Sequence, residues 1–255
     1  MKTNDNKEPN DKIAKKITAK LVADGLFGDS SNIEKLTIPD AVEEIDRGAF
    51  AKCAKLNDVI LHCRLKRCGA CIFGTKPKLH FYIMSGADCG LLNNDNAYLR
   101  ETQISGNGEK VGEGMFHHCE HLWKAVIDDG ITAIGSGAFD CCYELREISI
   151  PETVERIGNM AFAYCISLNG IKLPSGLKKI ERSTFLRCTD LERIEIPDSV
   201  TEIEESAFLG CSSLKEVVLS KNLEKIGNDA FGECDNLKLI IPDTVGYNGK
   251  RVIGE

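Results

Sequence analysis

Two stretches decide how this chain folds: IPETVERIGNMAFAYCISLNGIKL (Ile150–Leu173) and IPDSVTEIEESAFLGCSSLKEVVL (Ile196–Leu219). They share Ile-Pro, Val, Ile, Ala-Phe, Cys, Leu and a closing pair of aliphatics at matched positions. Working outward, Phe116, Phe139, Phe162, Phe185, Phe208 and Phe231 follow one another at 23-residue steps. Phe27, Phe50 and Phe73 form a second series with the same step. Three residues after most of these stands Cys (Cys53, Cys119, Cys142, Cys165, Cys188, Cys211, Cys234), and six after, Leu. Nine and eleven after come aliphatics such as Ile148 and Ile150 or Val217 and Leu219, often with Pro behind them. A fixed period of this length is the signature of a stacked-repeat architecture.

Each column has a physical reading. The pair at nine and eleven alternates, so both side chains face one side of a short strand. Proline behind it has no ladder donor and ends the strand. The Val-x-x-Ile-Gly-x-x-Ala-Phe segment is spaced by threes and fours, which predicts a turn and a short helical or 3₁₀ piece. One repeat must order its backbone at about 1–2 kcal/mol per residue. Roughly eight inward side chains return only about 1.5–3 kcal/mol each. A single repeat therefore cannot stand alone, and stacking into a solenoid with one parallel sheet is obligatory.

The pattern Ile-Pro-x-x-Val-x-x-Ile-x-x-x-Ala-Phe-x-x-Cys-x-x-Leu-x-x-Ile-x-Ile resembles the BspA-type bacterial leucine-rich repeat, over roughly Val22 to Val245 apart from the middle. The resemblance implies an α/β right-handed leucine-rich-repeat solenoid with a concave parallel sheet. It also implies use as a surface antigen or adhesin that binds host or matrix proteins. One domain is expected over 1–255: a capping helix at 12–26 (Ile13, Ile17 and Leu21 recur every four residues), then repeats over 27–84. A degenerate repeat or loop at 85–110, regular repeats over 111–245 and a closing cap at 246–255 follow. The Asn248-Gly249 pair suits a hairpin turn in that cap.

The 255 residues carry 32 Lys and Arg against 39 Asp and Glu, a formal charge of −7. That balance argues against a nucleic-acid partner, and no apolar run reaches the ~18–20 residues of a membrane span. The polar start MKTNDNKEPNDKIAKK lacks a secretory apolar run, so the chain as it stands reads as cytoplasmic, or as surface-borne if family usage holds.

Twelve cysteines are the compositional oddity. Seven fill the ladder column, where a small soft side chain packs, and parallel Cβ vectors suit a disulfide poorly. Cys63, Cys68, Cys71, Cys89 and Cys141 remain. The first four, with His62 and His80, invite a zinc reading. Cys68 and Cys71 nevertheless fall in packing columns, and a second Cys-x-x-Cys is missing. His117-His118-Cys119-Glu120-His121 includes a ladder cysteine, and its neighbours are expected to point to solvent. No metal or cofactor is therefore expected. Nor does any nucleophile elbow, His-Glu-x-x-His or complete phosphate loop appear, the glycines around Lys110 lacking the Gly-Lys-Ser/Thr ending.

What remains is a non-enzymatic module, expected to be monomeric, that binds a protein or peptide through its concave face. Counting columns places Thr37, Ile60, Ile83 and Val126 in one outward row, and Lys35, Asp58, Phe81 and Lys124 in another. Ile60, Phe81, Ile83, Trp123, Lys124 and Val126 are the candidate contacts, since exposed apolar patches and Trp often mark interfaces. The 85–110 segment either folds over them or carries binding itself. A purely structural, self-assembling role is the alternative.

Overall fold

The structure, a computed structural model, describes residues 21–22, 32–62, 67–68, 72–84, 99–107, 109–241 and 245–247. The alternating strand pairs form two rows. On the side that the repeat pattern leads one to expect as concave, Lys35–Ile38, Asp58–Leu61, Lys78–Ile83, Glu101–Gly106, Lys124–Ile127 and Glu147–Ser149 make a six-stranded sheet in chain order, every pairing parallel. Arg193–Glu195 and Glu216–Val218 pair beyond it, and residues 170–173 between the two groups form no strand. The second row consists of shorter parallel strands in three groups. These are Leu21–Val22, Glu44–Ile45 and Arg67–Cys68; then Glu109–Val111, Ile131–Ile134 and Arg156–Ile157; then Lys179–Ile180, Glu202–Ile203, Lys225–Ile226 and Gly246–Tyr247.

No α-helix or 3₁₀-helix occurs among the described residues, which corrects the expected helical pieces. The reason is visible around each ladder phenylalanine. The residue two before it and the residue two after it sit in the left-handed region in most repeats: Met160 (φ 56) and Tyr164 (φ 58) around Phe162, Ser183 (φ 53) and Arg187 (φ 57) around Phe185. A helix cannot pass through such residues. The intervening N–H groups donate sideways instead, Phe116 to the Ala138 carbonyl at 2.7 Å and Phe139 to that of Ala161 at 2.8 Å. Spacing by threes here reports a double turn. Of the expected 12–26 helix, only Leu21 and Val22 are described, and they pair as a strand with Glu44–Ile45. In the expected closing cap, Gly246–Tyr247 pairs with Lys225–Ile226, while Asn248-Gly249 lies outside the described residues.

Packed between the rows is a single core running from Ile33 to Val245. Its spine is the phenylalanine ladder: Phe116, Phe139, Phe162, Phe185, Phe208 and Phe231 stack with centroids 5.1–5.6 Å apart and planes within 10°. Phe50 and Phe73 stack at 5.9 Å. Between Phe73 and Phe116 no periodic phenylalanine exists, and Phe81, from the concave strand Lys78–Ile83, turns edge-on to both. It lies 5.8 Å from Phe73 at 67° and 5.7 Å from Phe116 at 73°.

The cysteine column packs alongside. Each of Cys142, Cys165, Cys188, Cys211 and Cys234 donates its S–H to the carbonyl of a ladder phenylalanine in the preceding turn, at 3.1–3.2 Å. All are free thiols, so the column supplies a weak donor as well as a small apolar volume.

One turn requires glycine. Gly130 has φ +102, and a Cβ there would sit 2.4 Å from the Gly106 carbonyl oxygen. That neighbour is backbone and cannot rotate away. Gly130→Ala is expected to destabilise by about 1–3 kcal/mol or more, read as a lower urea midpoint with an unchanged slope.

Candidate protein-binding face

Outward side chains of the six-stranded sheet fall into three rows. The first reads Lys78, Glu101, Lys124 and Glu147, paired across strands at 3.3 Å (Lys78–Glu101) and 2.8 Å (Lys124–Glu147). Register places Lys35, Asp58, His80, Gln103, Val126 and Ser149 in the second, and Thr37, Ile60, Tyr82 and Ser105 in the third, with Asp128 one residue beyond the paired strand.

This register corrects two expected contacts. Phe81 is 0% and Ile83 2% exposed, both in the core. Val59, nine residues after Phe50, pairs with Phe81, only eight after Phe73. One residue lost before the strand moves every side chain to the other face. His80 and Tyr82 therefore occupy the outward positions, and column counting missed both. Of the other expected contacts, Ile60 lies beside Tyr82, while Lys124 and Val126 face outward and are half-buried. Trp123 precedes its strand, half-buried, with the Lys124 ammonium 5.6 Å from its ring centre.

The middle of the face is a connected polar chain. The His80 ring Nε2 lies 2.8 Å from Ser105 Oγ, and its Nδ1 lies 3.7 Å from an Asp58 oxygen. Ser105 donates to the Asp128 carboxylate, which also accepts from Gln103 Nε2 at 2.9 and 3.1 Å. His80 and Tyr82 rings lie 4.0 Å apart, and the Lys35 ammonium sits 5.2 Å from the Tyr82 ring centre. These side chains are held by one another and by a rigid sheet, so little rotamer entropy is left to lose on docking.

Toward the other end, where the strand lapses, a groove of about 550 Å³ is bordered by Ile171, Lys172, Arg193, Pro197 and Val218 among others. Its charges are paired across turns: Lys172–Glu152 at 2.8 Å and Arg193–Glu216 at 3.0 Å. Lys172 and the Ser175 N–H hold the Glu152 carboxyl down at about 2.

Part of the expected irregular middle is regular. Glu101–Gly106 is a full concave strand and Glu109–Val111 joins the second row. Thr102, buried in that strand, donates to the Leu79 carbonyl at 3.1 Å. Residues 85–98, with Cys89, lie outside the described residues, as do Cys63 and Cys71; of Cys68 only the backbone is described. Among the described residues, His117, His118 and Cys141 bring three metal-ligating atoms within 4.8 Å of one another.

Matches to the BspA type leucine rich repeat region, in 6 copies, cover residues 20–142, 93–180 and 132–252. The chain belongs to that family. The family is typically non-catalytic. Its fold is similar to a leucine-rich repeat protein of Bacteroides ovatus, at 23% identity and a TM-score of 0.50, over 83% of this chain and 52% of that one. A Treponema pallidum leucine-rich repeat protein is 24% identical over 83% of this chain and 79% of its own, with a TM-score of 0.47. The chain thus spans about half the length of the first of these relatives. Among curated proteins no sequence matches it. No helix among the described residues is long and apolar enough to cross a membrane.

Proposed function

We propose that this family member is a recognition module that binds a protein or peptide on the concave face of its six-stranded sheet. The observation that supports this reading is the face itself: Tyr82, Ile60 and Trp123 stand half-exposed beside a polar chain already fixed in geometry. Aromatic side chains on a stiff scaffold are the usual anchors of interfaces. The register sets Trp123 at the entry end of the strands and Tyr82 near the exit end, two strands apart. A partner engaging both lies obliquely across the sheet. Nothing in the charge pairing calls for a polyanion.

Cross-linking in the native host identifies the partner, and its affinity is then measured on variants. Tyr82→Ala and Trp123→Ala are each expected to weaken it at least ~10-fold, in line with anchors worth 2 kcal/mol or more, with little change in melting temperature. Val218→Ala, outside this face, leaves it unchanged. Equal affinity for all three variants would move the interface elsewhere on the solenoid.

A further inference from the structure

Two adjacent turns carry a constellation unlike the rest of the ladder. The positions one and two residues after the phenylalanine read Ala-Tyr at 163–164, Leu-Arg at 186–187, Leu-Gly at 209–210 and Gly-Glu at 232–233. After Phe116 they read His117-His118, and after Phe139 Asp140-Cys141. Stacking sets the first pair against the second: His118 N–H donates to the Asp140 carbonyl at 2.9 Å. His118 (φ 58) and Cys141 (φ 60) occupy the same left-handed turn position in successive rungs, and their backbones are tied on either side. The ligating atoms of His117, His118 and Cys141 all lie within 4.8 Å of one another, and all three residues are partly exposed. Asp140 touches two of them, its Oδ2 3.2 Å from His117 Nε2 and its Oδ1 3.4 Å from Cys141 Sγ.

We propose that His117, His118 and Cys141 bind a zinc-type divalent cation, with Asp140 orienting the His117 ring. Two imidazoles and a thiolate are the donors of a borderline-soft ion, whereas calcium and magnesium require oxygen. Zinc bonds of about 2.0–2.3 Å need ligating atoms about 3.5 Å apart, so the cluster has to close by roughly 1 Å to take the ion. A carboxylate on the second nitrogen of a ligating histidine fixes its tautomer and ring plane, which is the place Asp140 takes. Read linearly the site is invisible, because the cysteine that completes it lies one turn away while Cys119, in the middle of the histidines, is committed to the core.

The full-length chain, stripped with chelator under reducing conditions, is titrated with Co²⁺ and then Zn²⁺. One Co²⁺ per chain at this site is expected to produce a sulfur-to-cobalt charge-transfer band, which Zn²⁺ abolishes by displacement. Cys141→Asn, chosen because asparagine tolerates the left-handed backbone, loses the band. His118→Asn weakens the ion by at least ~100-fold and Asp140→Asn by about 10–100-fold. A Cys71→Ser/Cys89→Ser variant keeps both band and affinity. Absence of Co²⁺ uptake, or a band that survives in Cys141→Asn, overturns the site. If Cys141→Asn does not fold, His118→Asn decides, since unchanged affinity there overturns it equally.

Discussion

Replacing Phe81 with alanine is expected to break the solenoid into two independently melting parts. Truncating a fully buried phenylalanine costs about 3–5 kcal/mol, a large share of the 5–15 kcal/mol that holds a typical fold together. At most rungs that loss falls between identical neighbours. Phe81 is different, because it is the edge-on ring that joins Phe50 and Phe73 to the six-ring stack beginning at Phe116. In a stacked-repeat protein, cooperativity is carried by nearest-neighbour interfaces, so weakening this one uncouples what lies on either side. Denaturant unfolding of Phe81→Ala should show two transitions. Hydrogen exchange should lose protection over 32–84 first and keep it over 111–241. A single shifted transition with uniform exchange would mean that the backbone ladder, not this ring, transmits cooperativity. Phe81→Leu, which keeps most of the volume, is expected to retain one transition.

The second large effect is alkaline. Burial raises the thiol pKa of Cys119 to about 12. It raises those of Cys142, Cys165, Cys188 and Cys211 well above their ordinary 9.0. A group whose pKa is higher in the fold keeps its proton there after the unfolded chain has begun to lose it. Up to about pH 9 both states hold the proton and stability is complete. Above that, each thiol costs about 1.4 kcal/mol per pH unit until the folded value is reached. Acting together, these five cost on the order of 7 kcal/mol by pH 10, enough to unfold an ordinary domain. The urea midpoint should therefore be flat from pH 7 to 8.5 and collapse between about pH 9 and 11. Cys119→Ala with Cys142→Ala lowers stability at neutral pH but makes the alkaline slope shallower by about two-fifths. A slope indifferent to those two substitutions would assign the collapse to other groups.

The repeat, the parallel sheet and the core columns were legible because each rests on a side chain recurring at a fixed step. The concave face was legible only where the step holds. Lys78-Leu79-His80-Phe81-Tyr82-Ile83 contains its own correction: Leu79, Phe81 and Ile83 alternate with His80 and Tyr82, and local period-two alternation sets the buried face more directly than distance from a remote phenylalanine. Helical pieces were misread for a related reason. Spacing by threes is shared by helices and by stacked turns, and Met160, Tyr164, Ser183 and Arg187 give no compositional warning that they adopt positive φ. The histidine–cysteine cluster is not a contiguous motif: His118 and Cys141 stand 23 residues apart in one column, and only stacking the turns brings them together.

The lapse in the sheets has a mechanical consequence. Concave strands stop at Ser149 and resume at Arg193, and the second row breaks between Ile157 and Lys179. The turns bridge the same interval, Phe162 N–H to the Thr184 carbonyl at 2.9 Å and Tyr164 N–H to that of Leu186 at 2.7 Å, with Arg156 paired to Glu181 at 2.6 Å. A beam whose two flanges are cut at one cross-section while its web stays whole concentrates bending there. Under load, bending is expected to concentrate at the stacked phenylalanines 162 and 185. That joint lies beside the groove lined by Lys172 and Arg193.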